Sequence, residues 1–440
     1  MQEFFYQLAD YVQTQLQDEE QSTCYLSAES SDFVRFNHST IRQPGHVQQI
    51  VLRLQLLRGS CHSSRSINLS GNTETDLPLL DDCLLQLRSE LPDLPADPHW
   101  LSTSSVSHSS TVQDSALPSA AELVAQILAA AAGLDLVGLL SYGSICRGFA
   151  NCAGQRNWYQ TKNFNFDWSL FHAGDKAIKS NYAGMQWDQQ QFLQKFALSK
   201  QQLLLLARPA ISITPGDYRV YLTPTALNEL LGMLNWRGLS EKALRTQQSC
   251  LQRLHSGAVA LNPALHLWED KQLGIAPSFQ EQGFIKPPQI ALIRAGQLCG
   301  SMVSPRSAKE YGIADNGADS EESCHSLRMQ GGELDMEQAL AALGTGIYIS
   351  NLWYLNFSDR ASCRITGMTR FACFWVEDGV IRAPLNVMRF DDSLYRLLGD
   401  ELLALTTQTE LIMDDQSYGE RRTGGAQLPG ALLKAMRFVL

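Results

Sequence analysis

Apolar residues recur at three- and four-residue steps near the start of the chain, at Phe4, Phe5, Leu8, Tyr11, Val12 and Leu16. That period puts them on one face of an amphipathic helix. The pattern becomes alternating over 47–58, where Ile50, Leu52, Leu54 and Leu56 share one side and Val51, Arg53, Gln55 and Leu57 the other. This predicts a half-buried strand. Residues 79–91 return to helical spacing. The stretch 92–119 holds Pro92, Pro95, Pro98 and the polar run from Ser102 to Ser105, and reads as a long loop inside a domain. A helix is expected over 120–132, then strands over 134–142 and 158–171, the second rich in aromatic residues.

The second half opens with a strand at 218–222. Thr223 is placed to cap a following helix with Pro224 at its first position, and Leu227, Leu230, Leu231 and Leu234 form its core face. A second helix is expected over 240–254 with Ser240 as N-cap. Residues 289–303 alternate like a hairpin turning at Ala295-Gly296, and 304–311 reads as a short helix. Strands are predicted at 346–355, 363–368 and 371–376, the last turning through Glu377-Asp378-Gly379 into 380–385, since Asp-Gly between apolar runs is a strong hairpin signal. A helix over 391–398 and a final strand over 431–440 close the chain. The expected fold class is α+β: two domains, 1–215 and 216–440, each a mixed or antiparallel sheet with helices packed on it.

The chain has 440 residues, 44% of them hydrophobic and 18% charged. That is the balance of a water-soluble globular protein with ample core. Its 35 Lys+Arg against 45 Asp+Glu leave a formal charge of −10, and no basic run occurs, which argues against nucleic acid as a main partner. The first residues lack the basic and apolar regions of a secretory signal. The longest apolar stretch, 123–140, is broken by Gln126 and Asp135 and falls short of the ~20 residues a membrane span needs. The 10 cysteines are scattered with no Cys-x-x-Cys pair, as expected of a cytoplasmic chain carrying its thiols as small apolar residues.

Familiar catalytic strings are missing. Gly344-Thr345-Gly346 lacks the third glycine and the helix of a dinucleotide site, and no Gly-Lys-Ser/Thr phosphate loop occurs. Ser141-Tyr142-Gly143-Ser144 does not fit a nucleophile elbow. Cys324-His325 is a candidate for the cleft, because an imidazole can lower a thiol pKa. Adjacent residues of a strand point to opposite faces, however, which favours a structural role for this pair. No His-Glu-x-x-His occurs among the 9 histidines.

Several strings, taken in order, resemble the TldD/TldE (PmbA) family. They are Ser304-Pro305-Arg306-Ser307-Ala308-Lys309-Glu310-Tyr311-Gly312, then Leu343-Gly344-Thr345-Gly346-Ile347, then Phe374-Trp375-Val376-Glu377-Asp378-Gly379-Val380-Ile381. Arg35-Phe36-Asn37 to Arg42-Gln43 and the segment from Gly138 to Gly143, followed by Phe149-Ala150-Asn151, are similar too. The resemblance implies a two-domain α+β protein working in a hetero-oligomer. One subunit type, TldD-like, holds zinc through a helical His-Glu-x-x-Gly-His-type signature and a distant cysteine. The TldE-like type lacks those ligands. Proteolysis of unfolded peptides and maturation of modified peptides are the activities implied.

On that resemblance the signature falls on Asn228-Glu229-Leu230-Leu231-Gly232-Met233. Glu229 and Gly232 match, whereas Asn228 and Met233 replace the histidines and Tyr418 stands where the cysteine would fall. An amide is a poor zinc ligand, and a thioether suits Cu(I) better. The expectation is therefore a TldE-like, non-catalytic subunit with no cofactor of its own. Its partner would be a TldD-like chain carrying zinc, its substrate an unfolded or modified peptide, and a homodimer is possible. Two alternatives stay open: a hydrolase with an unrecognised site near Glu229, Cys324 and His325, or a peptide-binding scaffold without cleavage.

Overall fold

The computed structural model describes residues 1–103, 106–173 and 176–439. Ser104 and Ser105 of the polar stretch, and Leu440 at the end of the expected last strand, lie outside the described residues.

The first half is built on long antiparallel strands. Helix α1 (Gln2–Thr14) turns Phe5, Leu8 and Val12 inward, as its spacing predicts. Strands β1 (Glu20–Asn37), β2 (Thr40–Arg58) and β3 (Cys61–Asn68) follow as a meander, and helix α2 (Thr73–Glu90) starts where the Asn72 side chain accepts from the Glu74 amide. After β4 (Ser109–Val112), helix α3 (Ala120–Ala130) begins with a reciprocal Ser119 and Glu122 capping box. Strands β5 (Asp135–Asn151), β6 (Arg156–Ala173) and β7 (Lys176–Gly184) lead into α4 (Gln189–Leu206). The seven strands run β3-β2-β1-β5-β6-β4, with β7 also on β6.

The second half carries β8 (Gly216–Leu222), α5 (Pro224–Asn235), α6 (Glu241–Arg245), α7 (Gln252–His255), β9 (Leu267–Asp270), β10 (Gln289–Arg294), β11 (Gln297–Leu298), α8 (Pro305–Tyr311), β12 (Ser326–Met329), α9 (Ala339–Leu343), β13 (Gly346–Asp359), β14 (Arg364–Glu377), β15 (Val380–Pro384), β16 (Arg389–Ser393), α10 (Leu394–Leu397), β17 (Leu402–Met413) and β18 (Gly425–Phe438). Its eleven strands run β11-β10-β9-β12-β18-β16-β14-β13-β8, with β15 on β14 and β17 on β18. A further pairing of β18 with β8 closes five of them into a ring. The fold is α+β. Both predicted tight hairpins form, with Ala295 and Gly296 at φ 48° and 74° and Asp378 and Gly379 at 51° and 75°.

Four local expectations need correction. The stretch 92–119 is not loop throughout, because the Asn157 amide donates to the Ser107 carbonyl and the Ser109 hydroxyl and holds β4 parallel to β6. Residues 240–254 form two short helices, not one. The backbone turns left-handed at Gln247 (φ 57°), and the Ser249 hydroxyl bonds the Gly238 carbonyl and the Leu251 amide in place of helical partners. The strands expected at 363–368 and 371–376 are one strand, β14. It absorbs a left-handed Phe371 (φ 60°) and pairs with β13 on both sides of it. Over 391–398 only Leu394–Leu397 is helical, because Asp391 and Asp392 pair with Thr366 and Ile365 in the sheet.

The two halves share apolar packing. Ala372 and Phe374 of β14 are fully buried against a core that includes Phe164, Phe166 and Trp168 of β6 and Phe192 and Phe196 of α4.

Candidate functional site

Helix α5 forms one wall of a cleft between the halves. Its start is fixed as the sequence requires: the Thr223 hydroxyl accepts from the Ala226 amide, donates to the Ser350 carbonyl at 2.7 Å, and Pro224 follows. Leu227, Leu230, Leu231 and Leu234 are buried beneath. Thr225, Asn228, Glu229 and Gly232 line the cleft, at the three- and four-residue spacing of one helical face. Met233 does not join them. Positions five apart on an α-helix lie about 140° from each other, and Met233 is buried in the core behind α5.

The opposite wall comes from the first sheet, where Lys179 of β7 is 3.0 Å from Asp167 of β6. The floor is the end of β17 and the turn after it, with Asp414 and Asp415. The enclosed space is about 310 Å³. Burial of its acids dominates its electrostatics. Burial pushes the Glu229 carboxyl up, Lys179 opposes this, and Asp415 adds to it. Glu229 itself reaches water along the cleft, so the shift comes from the protein around the carboxyl and not from a closed interior. Asp414 and Asp167 are also raised, chiefly by burial. For Lys179, burial alone would lower the ammonium, but Asp167, Asp415 and Glu229 outweigh it and hold it above its usual value.

Cys324 and His325 both border this cleft, yet they are used differently. The Asn235 side chain at the end of α5 donates to the Cys324 carbonyl at 2.9 Å and accepts from its amide at 2.8 Å. The thiol lies in the core, where burial and then Glu269 push its pKa far up, the opposite of an activated nucleophile. The His325 ring turns away to Asp319, with 2.6 Å between Nε2 and Oδ2. Burial would raise Asp319, but the hydrogen bond and charge of His325 hold it low. Behind both lies a satisfied buried ion pair. Glu269 takes Lys286 Nζ at 2.9 Å on one oxygen and the amides of His325 and Ser326 at 3.0 and 2.8 Å on the other.

Tyr418 does not line the cleft: it is 97% exposed on the loop between β17 and β18. The structure thus gathers Asn228, Glu229, Gly232, Cys324 and His325 around one cleft and leaves Met233 and Tyr418 out of it. A catalytic zinc of the type the resemblance implies needs three protein ligands and an open position. The donor set here does not fit. Asn228 offers an amide, Gly232 no side chain, and no group of three or more His, Cys, Asp or Glu among the described residues converges as a metal would require. Sequence reasoning missed Asp167, Lys179, Asp414 and Asp415. The first two meet across neighbouring strands and leave no string to find; the adjacent aspartates beside the 416–420 segment were a visible signal.

Residues 215–439 match the family model described as the PmbA/TldA metallopeptidase C-terminal domain. The chain belongs to the PmbA/TldD family. Its fold recurs over full length in solved structures of low sequence identity. TldE from Thermococcus kodakarensis is 12% identical, with 99% of this chain and 100% of that one covered at a TM-score of 0.77. A candidate modulator of DNA gyrase from Thermotoga maritima is 13% identical, with 99% of both chains covered and the same score. Another from Bacteroides thetaiotaomicron is 14% identical, with 99% and 98% covered at 0.75. A search of curated protein sequences gives no match. Within this PmbA/TldD chain, no helix among the described residues is long and apolar enough to cross a membrane.

Proposed function

We propose that this chain is the non-catalytic, TldE-like subunit of a hetero-oligomeric zinc peptidase that acts on unfolded or modified peptides. The zinc belongs to a TldD-like partner, and this chain contributes a peptide-binding cleft. One observation carries the reading: α5, the helix on which the family signature falls, presents Asn228, Glu229 and Gly232 to the cleft and turns Met233 into the core. Glu229 keeps the position of a general base but has no metal-bound water to act on.

A cleft bordered by strand ends and polar side chains suits an extended peptide, held mainly through its backbone and so with little dependence on sequence. The cysteines in the structure are all free thiols, which fits a reducing, cytoplasmic setting. The test is cleavage of a denatured protein substrate by the chain alone, by a TldD-like subunit alone and by the two mixed. Activity is expected in the mixture and not from this chain alone. Chelator-sensitive cleavage by this chain alone, abolished in Glu229→Ala, overturns the proposal.

A further inference from the structure

Acidic side chains outnumber basic ones in the lining of the cleft. Asp167, Glu229, Asp414 and Asp415 border it against one lysine, Lys179, which is already committed to Asp167. His325 is the other basic group there, and it is committed to Asp319. Glu229 and Asp415 have neither an ion pair nor a side-chain hydrogen bond among the described residues, and each is open to solvent. Carboxylates held this way gain most from a cation brought by a ligand.

A second, independent observation points the same way. Asn351 lines the cleft at 7% exposure, and its amide oxygen has no hydrogen-bond partner among the described residues. The adjoining pocket of about 450 Å³ shares Asp167, Lys179 and Asp415, carries Arg35 and Arg42 among its lining, and is bordered by Asn165, also 7% exposed. The Asn165 amino group donates to the carbonyls of Met413 and Asp414, both at 3.4 Å, which leaves its oxygen as the free end; that oxygen too is unpartnered among the described residues. Buried polar atoms of this kind are normally satisfied, and the Asn165 oxygen is fixed as an acceptor by the two bonds of its amino group. The ligand that completes the site is therefore rich in N–H donors and positively charged.

A divalent cation meets the charge but not the geometry, since no three acidic, His or Cys side chains among the described residues converge on one point. An ammonium meets both, because its three donors tolerate acceptors spread around it. We infer that the cleft binds a primary ammonium of the peptide, from its free N-terminus or a lysine side chain, at the Glu229 and Asp415 carboxylates. This rests on the peptide-binding reading above and adds a preference for charge to it. The cleft then selects peptide ends, and Glu229 is kept as a binding carboxylate where its catalytic partners are absent.

The experiment is fluorescence anisotropy on the full-length chain, with a short peptide of glycine, serine and alanine labelled at its amidated C-terminus. Three forms are compared: free N-terminus, acetylated N-terminus, and acetylated with one internal lysine. The free form is expected to bind about tenfold or more tightly than the acetylated one, the size of one charge-assisted contact. Glu229→Gln and Asp415→Asn should each erase that difference, with unchanged thermal midpoints confirming the fold. Recovery of affinity by the lysine form extends the site to any peptide ammonium, and failure to recover confines it to the N-terminus; both support the inference. Equal binding of free and acetylated forms overturns it and leaves the peptide-binding reading standing. Absence of binding by every form removes that reading and this inference together.

Discussion

The guanidinium of Arg421, on the loop between β17 and β18, hydrogen-bonds the side-chain oxygen of Asn163 in the middle of β6. One charged residue of the second half is thereby buried in the sheet of the first, at 5% exposure. It also faces the Ser31 hydroxyl and the Gly143 carbonyl, and the carboxylate of Glu29 lies close enough to favour its charge. Burial lowers its pKa to about 10, so the cation persists near neutral pH. Removing it leaves the Asn163 side-chain oxygen and the Gly143 carbonyl buried without their donor. Arg421→Met is therefore expected to cost about 2 kcal/mol, read as a lower urea midpoint. Because the same loop follows Asp414 and Asp415, the variant should also loosen peptide binding. An unchanged midpoint would show that the anchor carries no stability.

Asp97 ties the halves together at another point, 2.7 Å from Arg306 of α8 and 3.4 Å from His62. Burial works against its charge, but the hydrogen bonds from Arg306, the His99 amide and His62 outweigh it and lower the carboxyl to about 2. A depressed carboxylate stabilises the fold above its ordinary pKa near 4, and that contribution disappears as pH falls through the folded value. Wild type should thus unfold at a higher temperature than Asp97→Asn near neutral pH. The gap should close between about pH 4 and pH 2. A gap that is constant with pH would point to packing and not to charge.

The thiols offer a check on the cleft. Cys299 is exposed, Cys61 and Cys152 are partly exposed, and the other seven cysteines are buried. Iodoacetamide on the native protein, followed by peptide mapping, should label Cys299 first. Cys324 should be labelled only on unfolding, because its thiol is raised and inside the core. Rapid labelling of Cys324 would return it to consideration as a nucleophile.

Much of α5 was legible before the structure. Thr223-Pro224 marks its start, and the leucines mark its buried side, because capping and periodicity are local rules. The two left-handed hairpins were legible for the same reason. What failed depends on distant partners. Helix α4 gave no clear stripe, since exposed Leu193, Leu198 and Leu204 sit among its buried positions and Gln202 is buried instead. Ser249 breaks the 240–254 helix through a bond to Gly238 that no window of sequence reveals. In the cleft, Glu229 and Gly232 followed from the resemblance, but the direction of Met233 needed the helix itself. The charged groups opposite them, Asp167 of β6, Lys179 of β7 and Asp414 and Asp415 after β17, are far apart in the chain, and only the packing of the two sheets brings them to one space.

On the proposed function, this chain holds no catalytic metal centre and works through binding. The most direct test is elemental mass spectrometry of the full-length chain purified alone, without added metal. Zinc near zero per chain is the predicted result, with no gain after dialysis against zinc and removal of excess. Zinc near one per chain would contradict that reading and call for a direct test of the chain as a metallopeptidase.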